Sequence, residues 1–96
     1  MKIRGFLHKG LRQLYEDDNP RGVPAESAGK LRKMLAFLDA MDSADELRDL
    51  PSWKAHMLTG NRKGDWSLSV TANRRLTFRV AAEPPAIQDL NLEDYH

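Results

Sequence analysis

Two runs of strict alternation, at 66–71 and 75–80, restrict what this chain can fold into more than any other feature. Trp66, Leu68 and Val70 alternate with Asp65, Ser67, Ser69 and Thr71, while Leu76, Phe78 and Val80 alternate with Arg75, Thr77 and Arg79. Successive strand residues point to opposite faces, so period two predicts two half-buried antiparallel strands. Ala72-Asn73 between them is a short hairpin connection, though not the favoured Asn-Gly type. One face of the predicted sheet is apolar. The other is expected to face solvent, carrying Arg75, Arg79 and a row of hydroxyls.

Charge is segregated along the chain. Residues 53–80 hold six bases (Lys54, Arg62, Lys63, Arg74, Arg75, Arg79) and one acid, Asp65, for a local net charge of +5. Residues 1–52 hold nine bases and nine acids, and residues 81–96 hold four acids (Glu83, Asp89, Glu93, Asp94) with no Lys or Arg, so the whole chain is only +1. A sheet face with clustered Arg, Ser and Thr suits phosphate binding. The same pattern also describes a solvated face that resists edge aggregation.

Along the chain, residues 2–6 read as a first strand with Ile3 inward. A helix over Lys9–Asp17 places Leu11, Leu14 and Tyr15 at helical spacing, and Asn19, Pro20 and Gly22 break it. His8, just before this helix, is a solvated or capping residue and receives no functional role. The main helix is predicted over 25–41. Pro24 precedes it, and Ala28, Leu31, Leu35 and Leu38 form an apolar stripe widened by Met34, Phe37 and Met41. Lys30, Arg32 and Lys33 form a basic shoulder on it. Ser43 and Glu46 match a capping box that starts a short helical turn, which Pro51 stops. A strand is predicted over 53–58, then a loop over 59–64 with Arg62 and Lys63 between two glycines, and a last strand over 86–92. Helices early and strands late give an α+β layout, with the N-terminal strand and helices packed on one face of a mainly antiparallel sheet.

Ninety-six residues suit one domain, 1–96, with one modest core. The absence of cysteine rules out a disulfide scaffold, a thiol nucleophile and a Cys-based metal site. The N-terminus has no apolar run long enough for a signal peptide, and no stretch approaches the roughly 20 apolar residues of a membrane span. A cytoplasmic protein with no membrane contact is expected.

Chemistry centres on the histidines, of which there are three: His8, His56 and His96. His56 leads into the Arg62/Lys63 loop, and His96 follows Asp94 and Tyr95. RNA cleavage through the 2′-hydroxyl needs a base for that hydroxyl, an acid for the 5′-oxygen, and cations for the developing charge. Imidazole suits proton transfer because its ordinary pKa lies near neutrality. Two distant histidines and no cysteine make a poor zinc ligand set. No metal or cofactor is expected. A structural His56 and an incidental terminal histidine are the competing readings.

The run Phe6-Leu-His-Lys-Gly-Leu11 resembles the opening of HigB toxins. So does the run Leu58-x-Gly60-x-Arg62-x-Gly64-x-Trp66-x-x-x-Val70-x-x-Asn73-x-Arg75-x-x-Phe78, and so does the closing Asp94-Tyr95-His96. These toxins form a branch of the RelE/ParE superfamily. The resemblance covers nearly the whole chain in element order. It implies a compact RelE-like fold, similar to microbial ribonucleases, and a toxin of a type II toxin–antitoxin module. The implied activity is a ribosome-dependent endonuclease that cuts mRNA in the decoding site of the 70S ribosome. The implied partner is a helix-turn-helix, HigA-like antitoxin, with operator DNA reached only through it. The resemblance carries catalytic roles to His56, Asp94, Tyr95 and His96. His96 and His56 would divide proton transfer and phosphate stabilisation, Asp94 would orient a histidine or activate the 2′-hydroxyl, and Tyr95 would orient or stack on substrate. Arg62 and Arg75 match motif positions and would contact phosphates or ribosomal RNA. Lys63 and Arg79 join them on charge and parity. One departure is Arg74, which stands where many relatives have an aromatic.

Two other functions compete. ParE-like members share the fold and inhibit DNA gyrase by binding, without cleavage, and typically lack the terminal Asp-Tyr-His. A generic nucleic-acid-binding module would make the histidines incidental. The low net charge of +1 fits a nuclease that relies on the ribosome for positioning better than one that binds free RNA.

Overall fold

The computed structural model describes residues 1–94. In chain order its strands and helices are β1 (Lys2–Ile3), α1 (Lys9–Asp17), α2 (Ala28–Ala40), β2 (His56–Met57), β3 (Asp65–Ser69), β4 (Arg74–Ala82) and β5 (Pro85–Asp94). The five strands form one sheet in the order β1-β5-β4-β3-β2. The β1–β5 pair is parallel, continued by an isolated Phe6–Leu90 bridge, and the β2–β3, β3–β4 and β4–β5 pairs are antiparallel. The expected α+β layout is therefore the observed one. Among the described residues no helix is long and apolar enough to cross a membrane.

The helices form where sequence periodicity and capping agree. His8 is the N-cap of α1, its Nδ1 accepting from the Leu11 amide at 3.2 Å. Burial pushes its pKa down, which favours the neutral ring that can accept that bond. Leu11 and Leu14 are buried, and Tyr15 sits at the rim, where its hydroxyl donates to Asp39 at 2.7 Å. The first turn of the predicted main helix is instead a 3-10 turn, Ala25–Ser27, after which α2 runs to Ala40. From α2 and the residue after it, Ala28, Leu31, Met34, Leu35, Leu38 and Met41 are all buried. At about 1.5–3 kcal/mol for each large apolar side chain, this stripe is a main source of stability. Ser43 and Glu46 form the capping box: the Ser43 side chain accepts from the Asp45 amide, and Glu46 accepts from the Ser43 amide at 3.0 Å.

On the sheet, Trp66, Leu68, Val70, Leu76 and Phe78 bury against this helical layer, as their alternation requires. Thr71 closes the hairpin, its hydroxyl accepting from the Asn73 and Arg74 amides. The last strand is longer than expected and lies inside the sheet, between β1 and β4.

Two further expectations are corrected, beside a first strand that ends at Ile3 and not at Phe6. The strand predicted over 53–58 shrinks to His56–Met57. Trp53 belongs to a 3-10 turn and packs edge-on against Phe37, with ring centroids 5.7 Å apart. Lys54 then takes a left-handed backbone, φ 51°, which turns the chain before pairing begins. The second correction is the polar sheet face, whose centre is not open to water: Ser67 and Thr77 are 0% and 2% exposed.

Candidate active site

The polar face is a lattice of ion pairs. Strand register lines up Asp65 with Arg79, Ser67 with Thr77 and Ser69 with Arg75 across β3 and β4, and Arg75 with Glu93 across β4 and β5. Arg62, from the loop before β3, reaches over this face. Its two terminal nitrogens each donate to Glu93 at 2.6 Å, and its Nε donates to Asp65 at 3.3 Å. Thr77 Oγ1 also donates to Glu93, Arg75 approaches it at 3.6 Å, and Arg79 Nε donates to Asp65 at 3.1 Å. The fork-on-fork bond from Arg62 holds the Glu93 carboxyl down at about 2 against the opposing effect of burial, with the Thr77 hydroxyl adding a smaller pull in the same direction as Arg62. The same pairing raises the Arg62 pKa.

This lattice alters the charge picture drawn from the sequence. Four of the six cations in 53–80 have a carboxylate partner: Arg62 and Arg75 share Glu93, Arg79 has Asp65, and Arg74 lies 3.4 Å from Asp94 and 3.6 Å from Glu26. Three acids from outside the stretch, Glu93 and Asp94 of β5 and Glu26 before α2, come alongside and bring the local excess of +5 down to +2. Lys63 is exposed. Glu93, one acid among four in 81–96 by sequence, is the central carboxylate of this face. Its signal was present in β5, where Leu90 and Leu92 alternate with Asn91 and Glu93.

His56 lies on β2 at the sheet edge, opposite Ser67. Its Nδ1 is 2.9 Å from the Lys54 carbonyl oxygen. A carbonyl only accepts, so Nδ1 carries the proton. In the neutral ring Nε2 is then the free acceptor, and in the charged ring it is a donor. That is the arrangement a proton-transfer group needs. The imidazole opens into a cleft of about 510 Å³ whose lining includes Lys30, Ser52, Lys54, Ser69 and Thr71. A second hollow, of about 350 Å³, lies over the ion-pair lattice between Arg62, Arg79 and Asn91.

Asp94 ends β5 with an exposed carboxylate beside Arg74. β4 and β3 separate its strand from that of His56, a span of about 14 Å at normal strand spacing. The two side chains are thus not in contact. The remaining expected catalytic residues, Tyr95 and His96, lie outside the described residues. Among the described residues, no three His, Cys, Asp or Glu side chains come together as a metal site.

Comparison with known proteins places this architecture. The chain is 41% identical over 96 residues to "Endoribonuclease HigB" of Proteus vulgaris, covering 98% of this chain and 99% of that one. It is 37% identical over 75 residues to "Toxin HigB-1" of Vibrio cholerae, covering 77% and 79% of the two chains. Among solved structures it resembles a YoeB/ParE toxin from Agrobacterium tumefaciens, with a TM-score of 0.64 over the full length of both chains at 17% identity, a likeness of fold. The family model described as "RelE-like toxin of type II toxin-antitoxin system HigB" matches residues 4–96. On this full-length match the chain belongs to the HigB-like toxins, the RelE-like toxins of type II toxin–antitoxin systems.

Proposed function

We propose that this toxin is an endoribonuclease that cleaves mRNA in the decoding site of the 70S ribosome and so stops translation. As a member of a toxin–antitoxin family it has an antitoxin partner. We take that partner to be a HigA-like helix-turn-helix protein, through which alone the toxin meets operator DNA. The observation that carries the reading is the full-length relationship to an endoribonuclease HigB. The His56 geometry is consistent with it.

The chemistry follows from the linkage to be broken. A base removes the 2′-hydroxyl proton, the oxygen attacks phosphorus, and an acid protonates the departing 5′-oxygen. The products are a 2′,3′-cyclic phosphate and a 5′-hydroxyl. His56, with Nε2 free, is one proton-transfer group, and His96 is the other. Asp94 and Tyr95 position the substrate ribose or base. Arg79 and Lys63 present charge to phosphates from the loop side. Arg62 and Arg75, already bound to Glu93, fix the floor on which the substrate lies. This division needs only acid–base groups and cations.

Primer-extension mapping of a defined mRNA, with and without programmed 70S ribosomes, tests the reading. Wild type should cut within codons only when ribosomes are present. His96→Ala should lower the rate at least about 100-fold, the contribution typical of a positioned proton-transfer group. Its thermal unfolding and ribosome binding should stay unchanged. Inhibition of gyrase supercoiling without any RNA cuts would overturn the proposal.

A further inference from the structure

The cleft beside His56 holds cations of a different kind from those on the polar sheet face. Lys30 and Lys54 line it together with the hydroxyl residues Ser52 and Thr71, and among the described residues no acid is in its wall. An adjoining hollow, walled by Lys30, Lys33, Ser52 and Trp53, extends it along α2. Lys30 and Lys33 are three residues apart on that helix and therefore neighbours on its surface. Among the described residues none of Lys30, Lys33 and Lys54 has an ion-pair partner.

That contrast has an energetic consequence. Arg62 and Arg79 must loosen a carboxylate bond already made within the protein before they bind a phosphate fully. The lysines of the cleft have no such bond to give up, so their whole attraction for an anion is available to a ligand. Backbone geometry supports a functional placement. Lys54 is one of three non-glycine residues with positive φ among the described residues, an arrangement of modest strain that persists where the surroundings hold it. The His56 ring meets the carbonyl of this residue, at 2.9 Å. One hydrogen bond thus sets the His56 tautomer and ties the ring to the backbone that carries Lys54.

We infer that Lys30 and Lys54, extended by Lys33, form an RNA-phosphate subsite that seats the backbone next to the linkage His56 acts on. The inference rests on the ribonuclease reading for the identity of its ligand and assigns the main phosphate contacts to lysines outside the paired arginine lattice. The phosphates come either from the message or from ribosomal RNA lining the decoding site.

The test compares wild type, the double variant Lys30→Gln/Lys54→Gln, its charge-preserving Lys30→Arg/Lys54→Arg counterpart, and Lys9→Gln as an exposed control on α1. Binding is measured against salt concentration on empty 70S ribosomes and on 70S ribosomes carrying an mRNA 2′-O-methylated in the decoding codon, which blocks cleavage. Removal of two phosphate contacts should weaken binding about tenfold or more near 0.1 M salt. It should also make the plot of log affinity against log salt shallower by about 1.4. The arginine pair and Lys9→Gln should match wild type. A loss confined to message-bearing ribosomes assigns the phosphates to mRNA, and a loss on both assigns them to ribosomal RNA. Either supports the subsite. An unchanged slope in a double variant with wild-type thermal stability overturns it, even where wild type cuts unmodified mRNA normally. A shallower slope in a protein that never cuts mRNA keeps the subsite and removes the ribonuclease. Absence of ribosome binding by wild type overturns both.

Discussion

Replacing Gly10 with alanine should destabilise the protein by about 3 kcal/mol or more, against the sign that helix propensity gives. Gly10 is the second residue of α1 and is buried. A β-carbon built there would lie 2.1 Å from the Gly22 carbonyl oxygen and 2.5 Å from its carbon. One built on Gly22 would lie 2.6 Å from the Gly10 Cα. Two backbones touch at this point, and neither can rotate away as a side chain would. The contact seats the 3-10 turn Pro20–Gly22 on the start of α1, so the clash must displace the helix or the turn. Propensity alone would make alanine better by up to about 1 kcal/mol. Gly29 on α2 isolates that term, since a β-carbon there meets nothing within 4 Å. Gly29→Ala should therefore be neutral or stabilising by up to about 1 kcal/mol while Gly10→Ala unfolds at much lower urea. Equal urea midpoints for the two variants would show that the Gly10–Gly22 contact is not a constraint on the fold.

Such features mark the limit of what a sequence discloses. Alternation at 66–71 and 75–80 was enough to give the central hairpin and its buried face, because period two has one structural solution when half the residues are apolar. The stripe on α2 and the capping box at Ser43 were legible for the same reason: each is a local pattern with a local cause. His8 acting as the cap of α1 was within reach of the same reasoning. What sequence spacing did not supply is the meeting of distant segments. Glu93 lies 31 residues from Arg62, so counting charge over 53–80 missed its main counter-ion. The Gly10–Gly22 contact depends on where a turn folds back. The end of the strand predicted over 53–58 depends on Phe37 claiming Trp53. The candidate site shows the same division. His56 is legible from residue type and motif, whereas its fixed tautomer and its lysine-lined cleft are features of the fold, set by the Lys54 carbonyl and by the approach of Lys30 from α2.

The largest pH effect should come from the Arg62–Glu93 pair. In the unfolded chain the Glu93 carboxyl takes a proton near 4.5, and in the folded protein near 2. A lowered folded value means that the ionised form is the one folding favours. The stabilisation is therefore fully present above about pH 4.5 and is lost as pH falls through that window towards 2. The shift alone would correspond to about 3 kcal/mol, but the Arg62 side chain is 38% exposed and Glu93 20%, so solvent screening reduces this to about 2 kcal/mol. Glu93→Gln removes the titrating group while keeping its shape. At pH 7 the variant should be about 2 kcal/mol less stable than wild type, with Arg62 and Arg75 left facing a neutral amide. Urea unfolding at a series of pH values should show that gap closing between about pH 4.5 and 2, because wild type approaches the variant as Glu93 protonates. A gap that stays constant across this range would mean that Glu93 stabilises the fold through shape and hydrogen bonding alone. A gap that closes also separates the arginine lattice from the lysine cleft, since Lys30→Gln/Lys54→Gln removes no carboxylate partner and should leave the pH dependence of unfolding as it is in wild type. The paired arginines then hold the sheet face in shape, and the unpaired lysines remain available to a ligand.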